Sequence, residues 1–219
     1  MPADGSVAAA LFGSGEAYNP GVTRWGLILD PNADLDAREA AWEAITARIR
    51  PAILFQLRRR IRGWRETEDL ADLVLTRLRE RFEDRGPTEE SARLRLCVER
   101  EVELLCKERG TKGGIDPEFE RDWSRGLLGA ALEELGRVRP ETRRILLRVY
   151  DRPEGSPPLT VTELAAKLER SEDEIERALE EAREALRRLF AAEIAETVAG
   201  TVTDDEVEHL VPQAHALFA

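Results

Sequence analysis

Residues 159–190 read LTVTELAAKLERSEDEIERALEEAREALRRLF, and the organisation of the whole chain follows from them. Thr160 stands three residues before Glu163, and Ser171 three before Glu174. Each pair has the form of a capping box, in which a hydroxyl accepts from a backbone amide and the acid reaches back. Two helix starts so close together predict a short helix, a tight turn and a longer helix. Val161, Leu164, Ala165 and Leu168 make an apolar stripe on the first. Ile175, Ala178, Leu179, Ala182, Leu186, Leu189 and Phe190 recur at three- and four-residue steps on the second. The spacing is that of a helix-turn-helix, a motif that aims the start of its second helix at the major groove. Here that start reads Ser-Glu-Asp-Glu-Ile-Glu-Arg. Its acids oppose the contacts to base edges and phosphates that its shape would favour.

The composition sets the frame for this conflict. Over 219 residues the chain carries 35% charged and 5% aromatic residues, with a formal net charge of −11. That pattern predicts helices with charged surfaces over aliphatic interiors. The net charge disfavours general attraction to nucleic acid or to anionic membrane. Lys107, Lys112 and Lys167 are the only lysines, so the positive charge is almost all arginine. There is no apolar run of about twenty residues and no signal-peptide pattern, so the expected location is the cytoplasm. Cys97 and Cys106 fall on opposite faces of one predicted helix and are expected as buried free thiols. His209 and His215 lack partners at a ligand spacing, and no structural metal is expected.

The expected fold is all-α, with two helical domains joined by a Gly-rich linker and a helix-turn-helix in the second. Residues 1–22, rich in Gly, Ala and Ser, read as a flexible leader. Residues 23–112 form the first helical domain, 113–117 the linker, 118–192 the second domain and 193–219 a C-terminal helical extension. Thr23-Arg24-Trp25 and the apolar residues after it read as a plug against the first helix. Asp36 is expected to cap that helix, which bends or restarts at Pro51. Arg48, Arg50, Arg58, Arg59, Arg60, Arg62 and Arg65 face a single acid, Glu43, between Trp42 and Arg65. This basic run reads equally as a solvated face, as internal pairing, or as a surface for phosphate. Gly63 ends the helix, and Thr67 or Glu68 starts the next, with Leu70, Leu73, Val74, Arg77, Leu78 and Phe82 at helical spacing. A further helix is expected over 89–109 after a Thr88 cap. Beyond the linker, Phe119, Trp123, Leu127, Leu128, Ala131, Leu132 and Leu135 face inward, and Pro140 opens another helix.

In order and spacing these pieces resemble an extracytoplasmic-function (ECF) sigma factor over residues 23 to 192. Thr23-Arg24-Trp25 is similar to the opening of a subgroup of that family. Glu68-Asp69-Leu70-Ala71 is similar to its short acidic polymerase-binding motif. Phe119-Glu120-Arg121-Asp122-Trp123 is similar to the start of its second domain, and Arg139-Pro140-Glu141-Thr142-Arg143 precedes the helix-turn-helix as in the family. The resemblance implies a transcription initiation factor that binds bacterial core RNA polymerase, with Glu68, Asp69, Leu70, Asp72, Leu73 and Arg77 on the polymerase. It implies promoter DNA at Lys107, Arg109, Lys112, Thr162, Ser171, Arg177 and Arg183. An anti-sigma factor is a further implied partner. No catalytic residue, cofactor or metal is implied, and no nucleophile, phosphate loop or carboxylate-histidine set suggests an enzyme.

The chain departs from the family at places that bear on DNA. Asp72-Leu73 stand where the family has Gln and an acid, and residues 89 to 112 hold no aromatic for stacking on separated bases, a contact worth about 1–3 kcal/mol per base. Glu176, Ala178 and Glu181 stand where basic residues are usual, and Glu169 where the turn usually has Gly. A sigma-derived interaction protein without promoter recognition is therefore the alternative expectation. A plain helical bundle, its helix-turn-helix only a packing unit, is the third.

Overall fold

The computed structural model describes residues 23–61, 63–85, 93–111, 118–150 and 157–198. It is all-helical: α1 Arg24–Leu29, α2 Leu35–Arg60, α3 Trp64–Arg85, α4 Leu94–Glu108, α5 Phe119–Val138, α6 Pro140–Tyr150, α7 Val161–Leu168 and α8 Glu172–Ala195. The described residues contain no β-strand, only an isolated antiparallel bridge between Arg93 and Val198. The expected leader, linker, Thr88 cap, both histidines and the last part of the C-terminal extension lie outside the described residues.

The 26-residue α2 is the axis of the bundle. Its Ile45, Ile49, Ile53 and Leu57 form a stripe at helical spacing, while Ala52, Leu54 and Gln56 widen the buried surface around its second half. α1, α3, α4 and α5 all pack on it. α8 packs in turn along α5, with α6 and α7 against its flank. Buried apolar residues form one cluster from Trp25 to Ala195, and this core passes between the helices on either side of residues 113–117. Each fully buried Leu, Ile or Phe contributes about 1.5–3 kcal/mol relative to exposure.

α2 runs through Pro51 without restarting there, one of the two outcomes expected of that proline. An internal proline costs about 3 kcal/mol by removing one amide donor and crowding the previous turn. Pro51 itself is exposed, while Ile49, Ala52 and Ile53 beside it are buried and hold both segments to the same core. The cap of α2 is Asp34 rather than Asp36, its carboxylate accepting from the amides of Asp36 and Ala37 at 3.0 and 3.1 Å. α3 opens at Trp64, before Thr67 and Glu68, directly after Gly63 turns the chain at φ 123°. The described part of α4 opens at Leu94, after an extended Arg93, and the Leu94 amide donates to Thr197 O at 3.1 Å; the expected start at Glu89 lies outside the described residues.

The N-terminal plug docks as the apolar pattern suggests. Thr23 caps α1 by accepting from the Gly26 amide at 2.9 Å, and its hydroxyl donates to Val198 O at 2.8 Å. Trp25 is buried in a T-shaped contact with Phe82, the ring centroids 4.8 Å apart. Its amide donates to Glu196 O at 3.2 Å, and the Arg24 amide donates to the Glu196 carboxylate at 2.7 Å. The start of the described chain is thus fastened to the end of α8. Cys97 and Cys106 are buried free thiols on α4.

Both capping boxes at Thr160/Glu163 and Ser171/Glu174 are formed. Between them Glu169 takes a left-handed conformation at φ 53°, where a Cβ crowds the following carbonyl. Glu169→Gly is expected to stabilise the protein by about 0.5–1 kcal/mol, since relief of that strain exceeds the extra unfolded-state entropy of glycine. Thermal unfolding of the two proteins measures the difference.

Candidate nucleic-acid and polymerase interface

α7 and α8 are joined by Glu169, Arg170 and Ser171 alone. Leu164 and Ala165 of α7 are buried, as are Ile175, Leu179 and Ala182 of α8, so the pair is seated by one face. The opposite face of the first three turns of α8 is exposed and carries Glu172, Asp173, Glu174, Glu176, Glu180 and Glu181 beside Arg177. Hydrogen bonds from the Ser171 backbone and then its side chain hold the Glu174 carboxyl below its ordinary range, fixing a negative charge at this helix start. Such a charge favours the positive end of the helix dipole and repels a phosphate. Ala178 is only partly exposed and packs against the core, so it is not part of this outer face.

The residues expected at DNA do not form one patch. Thr162 and Arg177 are exposed, Arg183 is half-buried, and Ser171 is engaged in its capping box. Lys107 pairs with Glu103 at 2.8 Å and Arg109 with Glu66 at 3.0 Å, while Lys112 lies outside the described residues. Leu94 meets Thr197 where α4 begins and α8 ends. At 1.5 Å per residue Lys107 lies about 20 Å along α4 from this joint, and Ser171 about 36 Å along α8. Ser171 and Lys107 are thus at least about 16 Å apart on helix rise alone.

On α3, Leu70 is buried and Leu73 half-buried, so both seat the helix in the core, and Asp69 is exposed. Glu68 accepts from Arg50 at 2.7 Å and from Arg58 at 2.8 Å. The Arg50 hydrogen bond is the largest influence holding the Glu68 carboxyl below its ordinary range, against a smaller effect of burial. Asp72 accepts from Arg50 at 3.0 Å, and Arg77 donates to both carboxylate oxygens of Glu108 at 2.8 and 3.0 Å. The acidic motif therefore meets the basic run of α2, and internal pairing describes Arg50, Arg58 and Arg59.

A set of buried acids escaped the sequence reading. Asp122 on α5 accepts from Gln56 at 2.9 Å and from Arg59, both on α2. Glu193 on α8 accepts from Arg48 of α2, and Glu101 on α4 accepts from Arg81 of α3. Each carboxylate is buried, and each arginine reaches it from a neighbouring helix. The signal was present: Asp122, Glu101 and Glu193 all occupy positions in register with the apolar stripes of their helices. Arginine suits this role because its fork satisfies a carboxylate directionally while its stem covers apolar surface.

Among the described residues no group of His, Cys, Asp and Glu is placed to hold a metal ion, and no helix is long and apolar enough to cross a membrane. No protein-family model, curated protein or solved structure matches the chain.

Proposed function

We propose that the chain is an ECF-like sigma factor that binds bacterial core RNA polymerase and directs transcription initiation from specific promoters. The observation that carries this reading is the α7–α8 pair, in which two capping boxes and a three-residue link leave the front of α8 presented to solvent. This is the disposition a recognition helix needs. In this reading residues 23–112 engage polymerase through the exposed Asp69 and its neighbours on α3, residues 118–192 address the promoter, and the protein acts in the cytoplasm without chemistry of its own. An anti-sigma factor is the regulator this mode of action would call for.

A second reading is favoured by the six exposed acids at the front of α8. In it the chain is a sigma-derived interaction module that has lost promoter recognition. The Arg50 and Arg58 contacts to Glu68 and Asp72 also suit it, because they reduce the acidic charge offered to polymerase.

Reconstituted transcription separates the two. With core polymerase and genomic promoter fragments, an initiator yields discrete protein-dependent start sites, and a module without promoter recognition yields none. Glu176→Lys with Glu180→Lys changes the exposed face of α8 by four charges. If that face meets DNA, duplex affinity is expected to rise about tenfold or more at low salt, with a steeper fall as salt increases. Unchanged binding by a folded variant would remove this face from the DNA interface.

A further inference from the structure

The segment from Gly136 to Arg148 holds Arg137, Arg139, Arg143, Arg144 and Arg148 against one acid, Glu141, in a chain of net charge −11. Where α5 turns into α6, the structure opens a groove of about 380 Å³ lined by Gly136, Pro140, Arg143, Arg144, Leu147 and Arg148. Three guanidinium groups and no carboxylate line it. Gly136 is what lets Arg143 lie there: a Cβ on residue 136 would fall 2.5 Å from Arg143 Cδ. Arg143 Nε is cut off from solvent and has no hydrogen-bond partner.

We propose that this groove binds a phosphate group, with the guanidinium groups of Arg143, Arg144 and Arg148 closing on its oxygens. Guanidinium forks match the tetrahedral oxygens of phosphate in paired hydrogen bonds. Three of them exceed what one carboxylate, with two oxygens and one charge, can accept. Arg144 also pairs with Glu141 at 2.8 Å, but both side chains are largely exposed, and such a surface pair yields readily to a stronger acceptor. The phosphate can come from a nucleic-acid backbone or from a free phosphorylated molecule, and the chemistry of the groove is the same for both.

The test uses the full chain labelled with ¹⁵N and follows the arginine Nε–Hε signals at low ionic strength. Inorganic phosphate is expected to shift the Arg143 signal saturably, whereas acetate at matched ionic strength leaves it in place. Arg148→Gln, on the exposed rim, is expected to weaken phosphate binding about tenfold or more without changing thermal stability. Parallel titrations with pyrophosphate and with a random-sequence DNA duplex identify the source. If the ligand is a backbone phosphate, the duplex shifts the same signal and Arg148→Gln lowers the salt slope of DNA binding by about 1. If only phosphate and pyrophosphate act, the ligand is a small phosphorylated molecule. No saturable shift with any of the three probes, or a shift that Arg148→Gln leaves at full strength, overturns the proposal.

Discussion

Arg59→Met is expected to destabilise the fold by about 3 kcal/mol, although Arg59 is more than a third exposed. Its partner is the reason. The Asp122 side chain is only 1% exposed, and without Arg59 it keeps the Gln56 amide and a distant Arg125, whose Nη1 is 3.9 Å from Oδ1. A carboxylate stranded in a core costs more than the pair contributed, because the expense of removing it from water is no longer offset. Adding Asp122→Asn to Arg59→Met removes the stranded charge while leaving a group that can bond Gln56. The double variant is therefore expected to be more stable than Arg59→Met alone. Urea unfolding gives both values, with an unchanged slope showing that the unfolded state is the same. Additive effects of the two substitutions would mean that the pair does not couple α2 to α5.

Trp25→Ala is expected to cost about 3–5 kcal/mol, the range for removing a large aromatic from a packed core. Trp25 is fully buried and its ring stands near perpendicular to that of Phe82, at 85° between planes. It also carries the six-residue α1, too short to persist without tertiary contacts. Its loss therefore loosens the backbone bonds from residues 24 and 25 to Glu196. Hydrogen exchange is expected to show the amide at position 25 losing protection before those of α5 do. Trp25→Phe is expected to recover part of the stability. Retention of full stability by Trp25→Ala would show that the plug is a surface appendage.

Local chemistry was legible in the sequence and long-range pairing was not. The two capping boxes of α7 and α8 depend on contacts three residues apart, and the apolar stripes of α5 and α8 depend on helical pitch alone. Both were visible in the linear order of residues. The bond of the Leu94 amide to Thr197 was not, because the two residues lie about a hundred positions apart. The cap of α2 was misplaced by two residues because Asp34 and Asp36 have the same chemistry, and only the turn geometry selects Asp34. Local propensity allows a restart at Pro51, whereas packing on both sides of it keeps α2 continuous. The arginines of α2 offered three readings until partners from α3, α5 and α8 were in place. The groove at Gly136 was hidden for the same reason, since it depends on the crossing of α5 and α6.

Co-elution with bacterial core RNA polymerase, with wild-type protein beside Asp69→Arg, tests whether α3 meets polymerase. Asp69 is exposed on α3, so the substitution is expected to shift stability by no more than about 0.5 kcal/mol. Wild-type protein is expected to form a stable complex that the folded Asp69→Arg variant fails to form. Absence of any complex, or equal binding by the variant, would contradict that contact.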